Sequence, residues 1–147
     1  MDLINGKLIF LPVLALVFWT FIVLLMLPFR RFALIRSGQV SINDFKLQET
    51  DRVADSVVLV NRNYTNLLEM PVLFYLACVL LYLLERVTPV GLILAWSYLG
   101  LRVLHSLIHL TYNRVFHRFL IFALSNVVLL LLWLLLAQQL LIQIEVL

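Results

Sequence analysis

Arg62, Asn66 and Glu69 recur at i, i+4 and i+7 within a stretch otherwise dominated by leucine, valine and aromatic residues. At about 100° per residue, that spacing places all three on one narrow stripe of a helix. A second stripe, Arg102, His105, His109 and Tyr112, follows i, i+3, i+7 and i+10, and Arg114 and Arg118 come directly after it. An ionisable side chain in the middle of a membrane-spanning segment costs roughly 2.5–3.5 kcal/mol on insertion scales, so each of these residues demands a reason. The simplest packing turns both stripes inward onto a shared, positively charged cavity. Several arginines with few competing acids suit a small ligand with carboxylates, which guanidinium groups bind bidentately. Asn66 offers a donor and an acceptor, and Glu69 could hold an ammonium group. Carboxylates together with an ammonium describe an amino-acid-like molecule or a short peptide. The flank of such a cavity faces acyl chains, so a second, apolar reactant could enter sideways from the bilayer.

Other readings of the same residues are narrower. Glu69 and Arg102 could neutralise each other as a buried pair that fixes helix register, but a pair alone leaves Arg62, Asn66, His105, His109, Arg114 and Arg118 without a role. His105 and His109 have the spacing of two metal ligands on one helix face. No cysteine, aspartate or third histidine is placed to complete a shell, and Arg102 and Arg114 repel a cation, so no metal is expected. The single cysteine, Cys78, excludes an internal disulfide and reads as a small buried hydrophobe.

These stripes need helices to carry them. The chain has 147 residues, 64% hydrophobic and only 13% charged, against about a quarter charged in soluble domains. A soluble domain of this size could not bury so much apolar surface, so its solvent must be lipid. The expected fold is all-α, a single membrane domain of four helices. Spans are expected at about 8–29, 63–84, 90–112 and 119–141, each close to the roughly 20 residues that cross hydrocarbon. The first reads as a retained span, because it lacks a basic start and a small-residue cleavage site. Ser41 and Asp44 have capping-box spacing in the long first connection, and from about Asp51 the pattern reads as helix continuous with the second span. Pro71 should kink that span beside Glu69.

The connections between spans one and two and between spans three and four carry Arg30, Arg31, Arg36, Lys46, Arg52, Arg62, Arg114 and Arg118, whereas the opposite face carries Lys7 and Arg86. The positive-inside rule makes the basic face cytoplasmic. Topology therefore explains the basic residues, and no nucleic-acid recognition motif accompanies them.

Two segments resemble the MAPEG family, the membrane-associated proteins in eicosanoid and glutathione metabolism. NRNYTNLLEMPVLF, residues 61–74, is similar to the family's Arg-x3-Asn-x2-Glu motif on the second span. LRVLHSLIHLTYNRVFHRF, residues 101–119, resembles its Arg-x2-His run on the third span and the basic turn into the fourth. The resemblance is nearest to the bacterial branch, which implies a bacterial inner membrane. It implies a homotrimer of four-helix subunits, with glutathione between neighbouring subunits on the cytoplasmic side. By position, Arg62, Asn66, Glu69, Arg102, His105, Arg114 and Arg118 would line that site, and Tyr112 joins them from the cavity argument. The chain departs from better-known members in having Tyr64 and Thr65 where arginine is frequent, Pro71 only two residues after Glu69, His109 in place of tyrosine, and Phe119 where prostaglandin-type isomerases have serine.

The resulting expectation is a glutathione-dependent transferase or peroxidase acting on lipophilic electrophiles. Arg118 or Arg114, helped by the N-terminal dipole of the fourth helix, would stabilise the thiolate. A non-catalytic lipid-binding member of the same family is the alternative. A small transporter or proton relay built on Glu69, Arg102, His105 and His109 is weaker, because the sequence has no inverted repeat.

Overall fold

The computed structural model describes residues 5–45 and 54–145, except for the side chains of 143–145. All its regular structure is helical. A 3-10 turn, Gly6–Ile9, leads into α1 (Phe10–Arg36). α2 (Asp55–Glu69) and α3 (Pro71–Leu83) share the second span, α4 (Pro89–Leu110) is the third, and α5 (Val115–Glu145) is the fourth. Among the described residues, four helical segments are long and apolar enough to cross a membrane, the second comprising α2 and α3 together. The helices outrun the apolar stretches of the sequence, most clearly in α1, which continues through Arg30 and Arg31 to Arg36. Basic side chains are favourable there because the last turn carries the negative end of the helix dipole. Gly38, at φ 71, then closes the helix by accommodating the left-handed backbone that a Cβ disfavours.

The capping spacing in the first connection has the expected local geometry. The Asp44 carboxylate accepts from the Ser41 backbone N–H at 2.7 Å and from its hydroxyl at 3.1 Å. Between them they organise a short 3-10 turn, Ile42–Phe45. Arg31 lies over the Phe45 ring at 5.2 Å, holding this turn against the end of α1. Arg30 Nη1 donates to the Ser56 carbonyl at 2.8 Å and ties α1 to the first turn of α2. The expected helical onset near Asp51, and Lys46 and Arg52 of the charge count, lie outside the described residues.

Pro71 interrupts the second span. It has no N–H to give to the carbonyl four residues back, and its ring crowds that carbonyl. α2 therefore stops at Glu69, Met70 makes the junction, and α3 begins on Pro71.

Each helix buries a stripe rather than a broad face. α1 contributes Leu16, Val23 and Leu27; α3 contributes Phe74, Ala77, Cys78 and Leu81; α5 contributes Leu129, Leu132 and Leu136. Other apolar side chains pack partly buried around these stripes, and many face outward, with Phe18 at 67% and Phe29 at 73% exposed. Exposed apolar surface on this scale would drive aggregation in water but is stable in acyl chains. α4 is the most enclosed helix. Gly91 allows it to approach α5, since a Cβ there would lie 3.3 Å from Leu135 Cδ2.

Thr88 starts α4. Its hydroxyl accepts from the Gly91 N–H at 3.1 Å, and Pro89 follows at the first helical position, where a missing N–H costs nothing. Thr88→Val keeps the shape but loses the acceptor. It is expected to lower stability by about 1 kcal/mol, read as an earlier melt in detergent.

Candidate functional site: an arginine-bearing cleft

The two ionisable stripes do not rotate alike. On α4, Arg102 is fully buried, and His105 and His109 are 4% and 5% exposed. On α2, the buried face is Val57, Val60, Asn63 and Leu67. That face lies nearly half a turn, about 160°, from the Arg62/Glu69 line. Asn66, on the boundary, is half-buried, while Arg62 and Glu69 are exposed. The expected inward rotation of the whole α2 stripe is therefore corrected. Burying three aliphatic side chains at about 1.5–3 kcal/mol each outweighs burying two charges.

Arg102 bonds Asn66, not Glu69. Its Nη2 donates to the Asn66 backbone carbonyl at 2.6 Å and to the Asn66 Oδ1 at 2.7 Å. Among the described residues no carboxylate forms an ion pair with it. The guanidinium carbon also lies 6.0 Å from the Tyr98 ring centre and 5.7 Å from that of Phe122. A buried cation is tolerable only when well paired. Here Nη2 makes two charge-assisted bonds, worth about 1.5–3 kcal/mol each, and two aromatic faces border the charge, while Nε and Nη1 are buried without a hydrogen-bond partner among the described residues. The bond to Oδ1 has a consequence for Asn66: its amide is held with the acceptor inward, so the NH2 group is the end left for another partner.

A cleft of about 350 Å³ opens where α2, α4 and the start of α5 meet. Arg62, Asn66, His105, His109 and Arg118 form its polar lining, and Val115, Phe119 and Phe122 its apolar wall. Arg118, in the first turn of α5, donates from Nη1 to Asn113 Oδ1 at 2.8 Å and lies 3.4 Å from His109 Nε2. Its backbone carbonyl lies 3.1 Å from His105 Nδ1. A carbonyl only accepts, so Nδ1 carries the proton and His105 keeps Nε2 as an acceptor. The cleft thus presents two guanidinium groups, an amide, two imidazoles and no carboxylate lining, beside an apolar wall. Such a set has the chemistry to pair with an anion beside an apolar molecule.

Arg102 sits behind this lining, joined to it through Asn66. Arg114, Tyr112 and Glu69 are exposed and lie outside the lining within one protomer. The Tyr112 hydroxyl is 3.2 Å from His117 Nδ1.

Three features escaped the reading of the stripes. Asn63 Nδ2 donates to Ser106 Oγ at 2.6 Å, both residues fully buried, which locks α2 to α4 one residue away from Arg62 and His105. A fully polar residue in a span needs a partner, and that was the available signal. Asn113, at φ 45, turns the chain from α4 into α5 and holds Arg118. Asparagine tolerates this left-handed backbone, but nothing local marks it as the partner of Arg118. Phe122 covers both Arg102 and His105, the latter with ring centres 5.7 Å apart. It is one phenylalanine among ten and carries no signal at all.

The fold defines an all-helical, multi-pass membrane protein, with a cleft bearing two guanidinium groups at one end of the bundle. The MAPEG family model matches residues 9–138, nearly the whole chain, and the chain belongs to the MAPEG family. No curated protein and no solved structure matches it.

Proposed function

We propose that this MAPEG protein is a membrane-bound, glutathione-dependent transferase or peroxidase acting on lipophilic electrophiles. The observation that carries the reading is the cleft itself, in which Arg62 and Arg118 face a space without carboxylate lining beside Val115, Phe119 and Phe122. Glutathione is a short peptide with two carboxylates, an ammonium and a thiol. Arg62 and the Asn66 amide would take carboxylate and peptide oxygens. Arg118 would stabilise the thiolate, the nucleophilic form of the sulfur, and the adjoining apolar wall would receive the electrophile. Its position in the first turn of α5 adds the positive end of the helix dipole.

The working assembly in this reading is a homotrimer. Glu69 supports it: an exposed carboxylate on a protomer's membrane-level flank is expensive against acyl chains, and a neighbouring protomer would cover it. Glu69 could then hold the ligand's ammonium, with Arg114 and Tyr112 closing the site at the interface. The arginine and lysine asymmetry supports an orientation with the cleft end cytoplasmic, and the motif's resemblance to the bacterial branch suggests a bacterial inner membrane.

The test is glutathione-dependent thermal stabilisation in detergent. Wild type should melt later with glutathione present, and Arg62→Ala should lose most of that shift while melting normally without ligand. No shift in wild type would remove the enzyme reading.

A non-catalytic lipid-binding role is the second reading, favoured by an apolar cavity of about 220 Å³ between α1 and the second span. Val17, Phe21, Leu24, Leu67 and Tyr75 are among its walls. Copurifying lipid without any glutathione stabilisation would select this role.

A further inference from the structure

A charged cleft outside the arginine site lies at the other end of the bundle. It encloses about 440 Å³ and is lined by Lys7 from the N-terminal turn and by Tyr82, Leu83, Glu85 and Val87 from the α3–α4 connection. Lys7 and Glu85 have opposite charges, yet no ion pair joins them to each other across the space they share. The two walls are fixed relative to one another. Phe10 meets Tyr82 edge-on with ring centres 4.9 Å apart, and within the N-terminal wall Asn5 Oδ1 accepts from the Lys7 backbone N–H at 3.1 Å.

Glu85 stands in an unusual backbone position. α3 ends with the Arg86 N–H bonded to the Leu81 carbonyl at 2.9 Å and the Glu85 N–H to the Tyr82 carbonyl at 3.0 Å. This is the Schellman pattern, whose left-handed residue is usually glycine. Here Glu85 holds it, at φ 55. A side chain kept where its absence would be easier points to a use for the carboxylate.

We propose that this cleft binds the headgroup of a phospholipid carrying a phosphate and a primary ammonium, with Lys7 on the phosphate and Glu85 on the ammonium. The chemistry required is a zwitterion spanning two opposite charges that line one cleft. A primary ammonium fits better than a quaternary one, because a carboxylate rewards N–H donors, whereas a quaternary group needs several aromatic faces and only Tyr82 lines this space. A lipid fits better than a soluble zwitterion because the wall continues into apolar surface at the helix ends: Leu83, Leu8 and Leu11 are exposed beside it. Tyr82 occupies the position of an interfacial aromatic.

The test is native mass spectrometry of the full-length protein released from nanodiscs holding equal phosphatidylethanolamine, phosphatidylcholine and phosphatidylglycerol. Wild type should retain phosphatidylethanolamine several-fold over the other two. Lys7→Gln and Glu85→Gln should each erase that preference. Glu85→Gly separates binding from folding: it relieves the backbone, so its melting point should match or exceed wild type while the preference disappears. Retention in proportion to the membrane composition overturns the proposal. So does phosphatidylglycerol preference that survives Glu85→Gln, since Lys7 alone then suffices. Free phosphoethanolamine that stabilises the delipidated protein as strongly as the lipid does would overturn the lipid assignment.

Discussion

Arg102→Ala is expected to be the most damaging single substitution in the chain, costing about 3–5 kcal/mol and abolishing glutathione-dependent stabilisation. The side chain is fully buried and bonds both Asn66 acceptors, at 2.6 and 2.7 Å. Truncation leaves a cavity between Tyr98 and Phe122 and strands the Asn66 oxygens in a medium with no water to replace the guanidinium. The loss should not be additive. The double variant Arg102→Met/Asn66→Leu removes the buried charge together with the side-chain oxygen it bonds, leaving only the Asn66 backbone carbonyl, and shape-matched apolar replacements of buried ionic groups are often neutral or better. It should melt close to wild type while still failing to respond to glutathione. Detergent melts with and without glutathione on the three proteins check both halves. A double variant as unstable as Arg102→Ala would mean that the guanidinium is held by something other than Asn66.

Arg118→Ala should lower kcat/KM with glutathione and a chlorodinitrobenzene-type electrophile by roughly a hundredfold near neutral pH. That is the usual scale for removing one group that stabilises developing or full negative charge. Arg118 is held toward the cleft by Asn113 at 2.8 Å, and its nearest imidazole is 3.4 Å away. The sign of the pH effect follows from the role. If Arg118 depresses the bound thiol below its free value of about 8.5, its removal moves the thiol upward. The activity midpoint then shifts to higher pH, and part of the lost rate returns in alkaline buffer. Arg118→Lys should retain an intermediate rate, because an ammonium preserves charge but not the planar fork. Turnover by Arg118→Ala indistinguishable from wild type, with an unmoved pH profile, would show that the sulfur lies elsewhere. Asn113→Ala should give a milder version of the same shift through loss of the 2.8 Å bond.

These expectations draw unequally on sequence and on structure. Each span was legible because lipid imposes its demand locally: a run of about twenty apolar residues suffices without reference to the rest of the chain. The same local logic made the Ser41–Asp44 cap and the Pro71 interruption readable, since both depend on neighbours within four residues. The pairing of charges was not readable in this way. Arg102 had Glu69 and Asn66 as partners at plausible positions, and the choice turned on helix rotation.

The sequence by itself determined that this is a four-span helical membrane protein, and its two motifs carry the resemblance to the MAPEG family that the family model extends over residues 9–138. Tertiary structure alone decided how α2 rotates, and hence that Asn66 meets Arg102 while Arg62 reaches the cleft and Glu69 faces outward. It also decided that Asn113 carries Arg118 and that Asn63 locks to Ser106. The physical reason is that span formation adds up over consecutive residues. Rotation is instead a competition among apolar contacts and buried hydrogen bonds from residues 36 to 43 positions apart, as in Asn66–Arg102 and Asn63–Ser106.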